Sequence, residues 1–270
     1  MYNGIMEFVP QTDEELAGFY EGNFQHDLKI NQYLVIKNKS GDVLDKLRWD
    51  GREFKVLKPS KIKGFKPKTY KQECLADLLS DPSIPIKIIC GVAGSGKSKM
   101  AISYGLHFLQ RNTYNKLFLI RHNIGVGEKN GYLPGDKFEK IKGWLGFFKD
   151  NIEDCLLTIE DMYSKGVLDT DAVEYMKGRD LKHSWIIVDE CEDLTEEQFK
   201  MIGERVSEGS SICFVGDYDQ TTQDKFKSNS GIKRAIANLV GNPLVGVVVF
   251  DDKELDNVRS ETSKVFTSCY

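Results

Sequence analysis

From Ile86 to Ala101 the chain reads I-K-I-I-C-G-V-A-G-S-G-K-S-K-M-A, an apolar run that meets a glycine-rich turn and then a helix-forming segment. The stretch fits G-x-x-x-x-G-K-[ST] at Gly91, Gly96, Lys97 and Ser98. A backbone that must curl its N–H groups around phosphate oxygens favours glycine, and the helix that follows turns its positive N-terminal end toward the anion. Gly91, Val92, Ala93, Gly94, Ser95, Gly96, Lys97, Ser98 and Lys99 are therefore the predicted phosphate cradle. Lys97 would hold the β and γ phosphates, and Ser98 would offer its hydroxyl to Mg²⁺, a hard cation that takes oxygen ligands.

The rest of the chain is read outward from that loop. Strand-like apolar runs occur at Ile86–Cys90, Leu117–Ile120, Val167–Thr170, Trp185–Val188, Ile212–Val215 and Val245–Phe250. Helical patterns lie at Lys97–Gln110, Asp136–Ile152, Thr195–Val206, Ser230–Val240 and Lys253–Phe266, with Thr195 and Gln198 spaced as a capping box. Alternation of this kind predicts parallel strands joined by crossover helices, with the ligand beyond the carboxyl ends of the strands.

The first 67 residues read differently. Gln32–Lys37, Val43–Trp49 and Glu53–Leu57 form a predicted β-meander, with Asp50-Gly51 as a hairpin turn. A lysine-rich linker punctuated by Pro59 and Pro67 follows, which places a boundary between a small β-rich domain at 1–67 and an α/β domain at 68–270. Lys55, Lys58, Lys61, Lys63, Lys66, Lys68 and Lys71 fall in a stretch free of acidic residues, with Phe65 and Tyr70 among them. Such a stretch would track a phosphate backbone, with aromatics for base stacking, or serve as a solvated linker. A net charge of −4 argues against bulk electrostatic coating of nucleic acid.

Six scattered cysteines without C-x-x-C spacing read as reduced thiols and point to a cytoplasmic protein. No membrane segment and no leader are expected.

Residues just past the strands carry the remaining chemistry. Trp185–Val188 runs into Asp189 and Glu190. Asp189 would orient Mg²⁺ through its water shell, and Glu190 would be the base that polarises the attacking water. Gly216–Gln220 follows the next strand, and Gln220 would contact both the γ-phosphate and that water. Gln72, placed ahead of the first helix, would pair its carboxamide with one edge of adenine. His107 and His183 are assigned to structure or surface.

Together these residues resemble the PhoH family of P-loop ATPases, which is similar to the helicase core of superfamily 1. The resemblance covers about residues 68 to 266 and is carried most specifically by G-E-K-N-G-Y-L-P-G-D at Gly127–Asp136 and Y-M-K-G-R-D-L at Tyr175–Leu181. Phe214–Gln220, Ser230-Gly231 and Arg259-Ser260 match further blocks. The implied fold is α/β: a single RecA-like P-loop NTPase domain with a mainly parallel sheet, preceded by the small β-rich domain. N-Q-Y-L-V-I-K-N-K-S-G-D-V-L-D-K-L-R-W-D-G resembles the connecting region of fusions in which a PIN nuclease precedes the PhoH domain, but no ribonuclease activity is expected.

Two departures stand out. Asp189-Glu190-Cys191-Glu192-Asp193 replaces the D-E-A-Q-N frequent in the family, and His122 stands where a proline is usual. Glu192 and Asp193 would repel a phosphate backbone if they faced it.

The resemblance implies ATP and Mg²⁺ as ligands, single-stranded RNA or DNA as partner with RNA favoured, and a hexameric ring in which an arginine reaches across the interface. Arg121, Arg179 and Arg259 are candidates for that arginine, with Arg259 first. The other reading is an ATP-dependent switch or assembly module that acts on a protein partner without moving on nucleic acid.

Overall fold

The computed structural model describes residues 2–62, 65–121, 159–217, 230–252 and 255–258. These divide into two compact units. One holds the chain up to Ser60, Pro67–Ser95 and Ala235 onward; the other holds Lys61–Lys66 and Gly96–Arg234.

In the first unit the predicted meander is present as β2 (Tyr33–Lys37), β3 (Val43–Trp49) and β4 (Phe54–Val56), paired antiparallel. Asp50 closes the hairpin by accepting from the N–H groups of Arg52 and Glu53 at 2.8 and 2.9 Å. Two elements were not foreseen in what reads as a polar start. Strand β1 (Ile5–Phe8) adds in parallel to β2, and helix α1 (Asp13–Tyr20) is capped by Thr12, whose side chain accepts from Glu15 N–H. Phe8, Phe19, Phe24, Trp49 and Phe54 enclose Leu34, Ile36 and Leu47, so α1 and one face of the sheet share an aromatic core.

The opposite face of β2 is also covered. Tyr33 donates its hydroxyl to Asp77 at 3.0 Å, and Arg48 pairs with Asp77 at 3.3 Å and Asp81 at 2.6 Å. Asp77 lies on α2 (Tyr70–Ser80), a helix hidden in sequence by the lysine- and proline-rich run before it. Strand β5 (Ile86–Gly91) pairs in parallel with β10 (Val245–Phe250) in the same unit. Asn31 donates to the carbonyls of Pro243 and Val245 at 2.9 Å each, and Val249 N–H donates to Asn3 at 3.0 Å. Glycine is needed at Gly4, where φ is +80° and a Cβ would lie 1.8 Å from the Val247 carbonyl oxygen.

The second unit contains α3 (Lys97–Gln110), β6 (Lys116–Arg121), α4 (Ile159–Ser164), β7 (Leu168–Ala172), β8 (Ser184–Asp189), α5 (Glu196–Gly203) and β9 (Ser211–Gly216). α6 (Gly231–Leu239) begins here. Strands β7-β6-β8-β9 pair in parallel. Both reciprocal bonds of the predicted capping box at Thr195 and Gln198 are present. Gly105 lets α3 approach β8: a Cβ there would lie 2.5 Å from the Trp185 ring, whose Nε1 donates to the Ala101 carbonyl at 3.0 Å.

Each unit thus carries parallel strands, β5 with β10 in the first and β7-β6-β8-β9 in the second, and all six strands read from sequence are among them. Their apolar runs are continuous because such strands are buried on both faces; every residue of β9 and β10 is buried.

The expected helix at Lys253–Phe266 is corrected where it is described. Leu255–Val258 form a turn, held by Leu255 N–H donating to Asp252 at 3.0 Å and by Asp256 reaching back to Asp252 N–H at 2.9 Å. The helix read at Asp136–Ile152 and the Gly127–Asp136 block lie outside the described residues. Among the described residues no helix is long and apolar enough to cross a membrane.

Candidate nucleotide site

The glycine loop leaves β5 through a backbone conformation that only glycine adopts easily. Gly91, Gly94 and Gly96 have φ of +122°, +85° and +83°. A Cβ on Gly91 would sit 2.0 Å from the Phe250 carbonyl oxygen. Within the first unit the loop is tied down on several sides. Val92 N–H donates to Phe250 at 2.8 Å, Ser95 Oγ donates to the Val92 carbonyl at 2.8 Å, and Val258 N–H donates to Gly94 at 3.2 Å.

Gln72 belongs to this framework. It is the third residue of α2 rather than a residue ahead of a helix, its N–H bonded to the capping hydroxyl of Thr69. Its carboxamide accepts from Lys68 N–H at 2.7 Å and donates to the Ser95 carbonyl at 2.9 Å, and the side chain is only 2% exposed. The geometry makes Gln72 a brace for the loop. The T-x-x-Q spacing ahead of Cys74, Leu75, Leu78 and Leu79 was the available signal for this helix start.

In the second unit, α3 starts at Lys97 with Gly96 as its N-cap, no side-chain cap and no acidic residue in its first turn. That is the electrostatic setting an anion wants. Lys97 is buried and Lys99 is exposed. Ser98 Oγ donates to Asp189 Oδ1 at 3.2 Å. Burial pushes the Asp189 carboxyl up, against the pull of Arg121, the Ser98 hydroxyl and Lys97. A serine hydroxyl beside one carboxylate oxygen fits Mg²⁺, which takes its other ligands from water and phosphate. Among the described residues no group of three or more His, Cys, Asp or Glu is arranged to hold a metal by itself.

Glu190 sits at φ +54° and ψ +42°, left-handed for a residue with a side chain, and opens the one-turn helix Cys191–Asp193. Its carboxylate accepts from Arg121 Nη2, while Arg121 Nε lies 4.0 Å from Asp189 Oδ2. Arg179 bonds Asp169 at 2.8 Å, lies 3.9 Å from Asp171 and stands over the Phe118 ring. Two of the three arginines read as cross-subunit candidates are thus engaged with carboxylates of their own chain. Arg259 and Gln220 lie outside the described residues.

The two extra carboxylates after Glu190 turn inward. Asp193 is 3% exposed, and Glu192 Oε2 accepts from Asp217 N–H at 3.1 Å. Burial raises the Glu192 carboxyl to about 7. Gly216 leaves room for it: a Cβ there would lie 2.2 Å from Glu192 Oε2 and displace that carboxylate.

The basic stretch is also narrower than its sequence suggests. Lys71 is buried against Asp251 and Asp256 at 2.6 and 2.7 Å, Tyr70 donates to Glu7, and Lys55 pairs with Asp50 and Glu53. Lys58, Lys61, Lys66 and Lys68 remain exposed.

A parallel sheet that feeds one strand through left-handed glycines into an open helix N-terminus, with a strand-end aspartate bonded to the serine after the lysine, is the fold of a P-loop NTPase. Residues 64–270 match the family model described as PhoH-like protein, and the chain belongs to that family. It is 33% identical over 283 residues to Protein PhoH2 of Bacillus subtilis (strain 168), covering 92% of this chain and 60% of that protein. Protein PhoH2 of Thermobispora bispora is 27% identical over 262 residues, covering 94% and 60%. Protein PhoH2 of Mycolicibacterium smegmatis is 30% identical over 195 residues, covering 71% and 45%. The chain spans at most 60% of the length of these three relatives.

Proposed function

We propose that the chain is a Mg²⁺-dependent ATP hydrolase coupled to single-stranded nucleic acid, RNA in preference to DNA, working as a hexameric ring. The observation that carries the hydrolase reading is the Ser98–Asp189 bond with Glu190 as the next residue, turned out of the strand by its left-handed backbone. Lys97 and the N–H groups around it bind and orient the phosphates. Ser98 and Asp189 would hold Mg²⁺, which supplies charge neutralisation for the phosphates when bound. Glu190 takes a proton from water as the water oxygen bonds to the γ-phosphorus. The bridging bond to the γ-phosphorus breaks, its electron pair leaves on ADP, and the proton passes to solvent with phosphate as the other product.

Coupling to nucleic acid is supported by the exposed lysines Lys58, Lys61, Lys66 and Lys68 and by the inward turn of Glu192 and Asp193, which removes the repulsion those two carboxylates would have caused. A ring would supply an arginine from the neighbouring subunit, and Arg259 is the remaining candidate for that role because Arg121 and Arg179 are engaged with carboxylates of their own chain. The slow-switch reading is favoured by one contact, the ion pair that occupies Glu190. Equilibrium binding of a fluorescent ATP analogue tests the base of both readings. Wild-type protein should bind with Mg²⁺, and Lys97→Ala should weaken binding at least about tenfold, the loss of one charge-assisted phosphate contact. Equal affinity in the two proteins would remove the nucleotide site from this loop.

A further inference from the structure

The contact between Arg121 and Glu190 joins a guanidinium to the carboxylate assigned as general base, and it rests on backbone geometry from two elements. Arg121 is the last residue of β6 and the register partner of Asp189 on β8, so it stands directly beside the acidic strand end. Glu190 departs from that strand in a left-handed conformation, which carries its side chain back toward the end of β6. Such a conformation is unfavourable for a residue with a Cβ and persists where surrounding contacts hold it. The guanidinium reaches both carboxylates, donating to Glu190 Oε1 and lying 4.0 Å from Asp189 Oδ2. The pair is not sealed: the side chains are 30% and 38% exposed, so a competing anion can reach the arginine.

We propose that Arg121 is a positioning residue that restrains Glu190, and that the γ-phosphate of a bound nucleoside triphosphate competes with Glu190 for its guanidinium, freeing the carboxylate to act as base. The proposal rests on the hydrolase reading for its consequence in turnover, but the competition itself concerns binding alone. A carboxylate oxygen that accepts from a guanidinium is occupied and turned toward it, and is not free to accept a hydrogen from the attacking water. Phosphate oxygens match the planar fork of arginine at least as well as a carboxylate does. A γ-phosphate that captures Arg121 therefore does two things at once: it gains a cation and it releases the base. ADP has no γ-phosphate to offer and leaves the restraint in place.

The test is a double-mutant cycle on the full chain, read first by equilibrium affinity for ATP and ADP in the presence of Mg²⁺. Glu190→Gln should tighten ATP relative to ADP by about twofold to fivefold, the scale of releasing one part-exposed charged pair. The same substitution made together with Arg121→Gln should give no such gain. A gain that persists without the arginine would mean simple relief of charge repulsion, and no gain at all would mean no competition; either result overturns the proposal. Arg121→Lys, which keeps the charge but loses the fork, serves as the second variant if Arg121→Gln does not fold, and it should lose most of the gain. In turnover, Arg121→Gln should raise basal phosphate release about threefold or more and shrink any stimulation by a single-stranded RNA oligonucleotide. A fall of tenfold or more in that rate would mean that Arg121 contributes more to the transition state than it withholds from Glu190, and would refute the restraint. If the wild-type protein binds ATP but releases no phosphate, the hydrolase reading fails, while the affinity cycle still decides the competition.

Discussion

Replacing Gln72 by Ala separates a brace for the phosphate loop from a reader of the base. In the structure the Gln72 carboxamide donates to the carbonyl of Ser95, a fully buried residue, at 2.9 Å and accepts from Lys68 N–H at 2.7 Å. Alanine keeps the helix and the Thr69 cap, which bonds only the backbone N–H of residue 72. The loss is therefore one buried donor to a carbonyl and one acceptor at a half-exposed N–H. Taking a partner from a buried polar group costs about 1–3 kcal/mol, and the second bond adds little because water replaces it. Urea denaturation should show a destabilisation of that size. Competition binding should show ATP and GTP affinities falling together, by up to about tenfold, because a loosened loop holds every triphosphate less well. A selective loss of ATP with GTP unchanged would refute the bracing argument and restore Gln72 as an adenine contact.

Three further outcomes follow from contacts away from the base. Gly91→Ala should abolish nucleotide binding and leave the chain destabilised, since the Cβ would meet the Phe250 carbonyl oxygen at 2.0 Å at φ +122°; an affinity like that of wild type would contradict the close approach. Asp77→Ala leaves the buried Tyr33 hydroxyl without its acceptor and Arg48, 13% exposed at its side chain, with Asp81 alone, so it should cost about 1–3 kcal/mol in urea denaturation, and a loss under about 0.5 kcal/mol would show the cluster to be incidental. Burial, the largest influence, raises the Glu192 carboxyl from its ordinary range to about 7. A carboxyl raised on folding contributes stability that is full below its unfolded value and is lost as pH climbs through the folded one. Stability should therefore decline between about pH 4.5 and pH 7 on account of this residue, and Glu192→Gln should flatten that decline; parallel pH profiles for the two proteins would count against it.

What could be read from sequence follows the range of each interaction. The glycine loop, the six continuous apolar strands, the Asp50-Gly51 hairpin and the Thr195–Gln198 box are all local patterns, and all are present. Strand β1 was missed because four residues carry no sign of a parallel partner at Tyr33–Ile36. Lys71 read as part of a basic surface because the carboxylates that bury it lie 180 and 185 residues further on. The pairing of Arg121 with Glu190 depends on β6 lying beside β8, a fact of strand order that no spacing reveals. Whether Glu192 and Asp193 would face a phosphate backbone and repel it is left open by sequence, whereas the turn that begins at Glu190 carries them inward.

One assay bears on the whole reading: steady-state phosphate release from ATP by wild-type protein, Lys97→Ala and Glu190→Gln, each with and without single-stranded RNA or DNA. We expect turnover by the wild type that rises when RNA is added and falls at least about a hundredfold in both variants, the scale of losing a general base or a phosphate clamp. Turnover that survives Glu190→Gln, or none under any condition despite tight ATP binding, would contradict the assignment of Glu190 as the base of an ATP hydrolase.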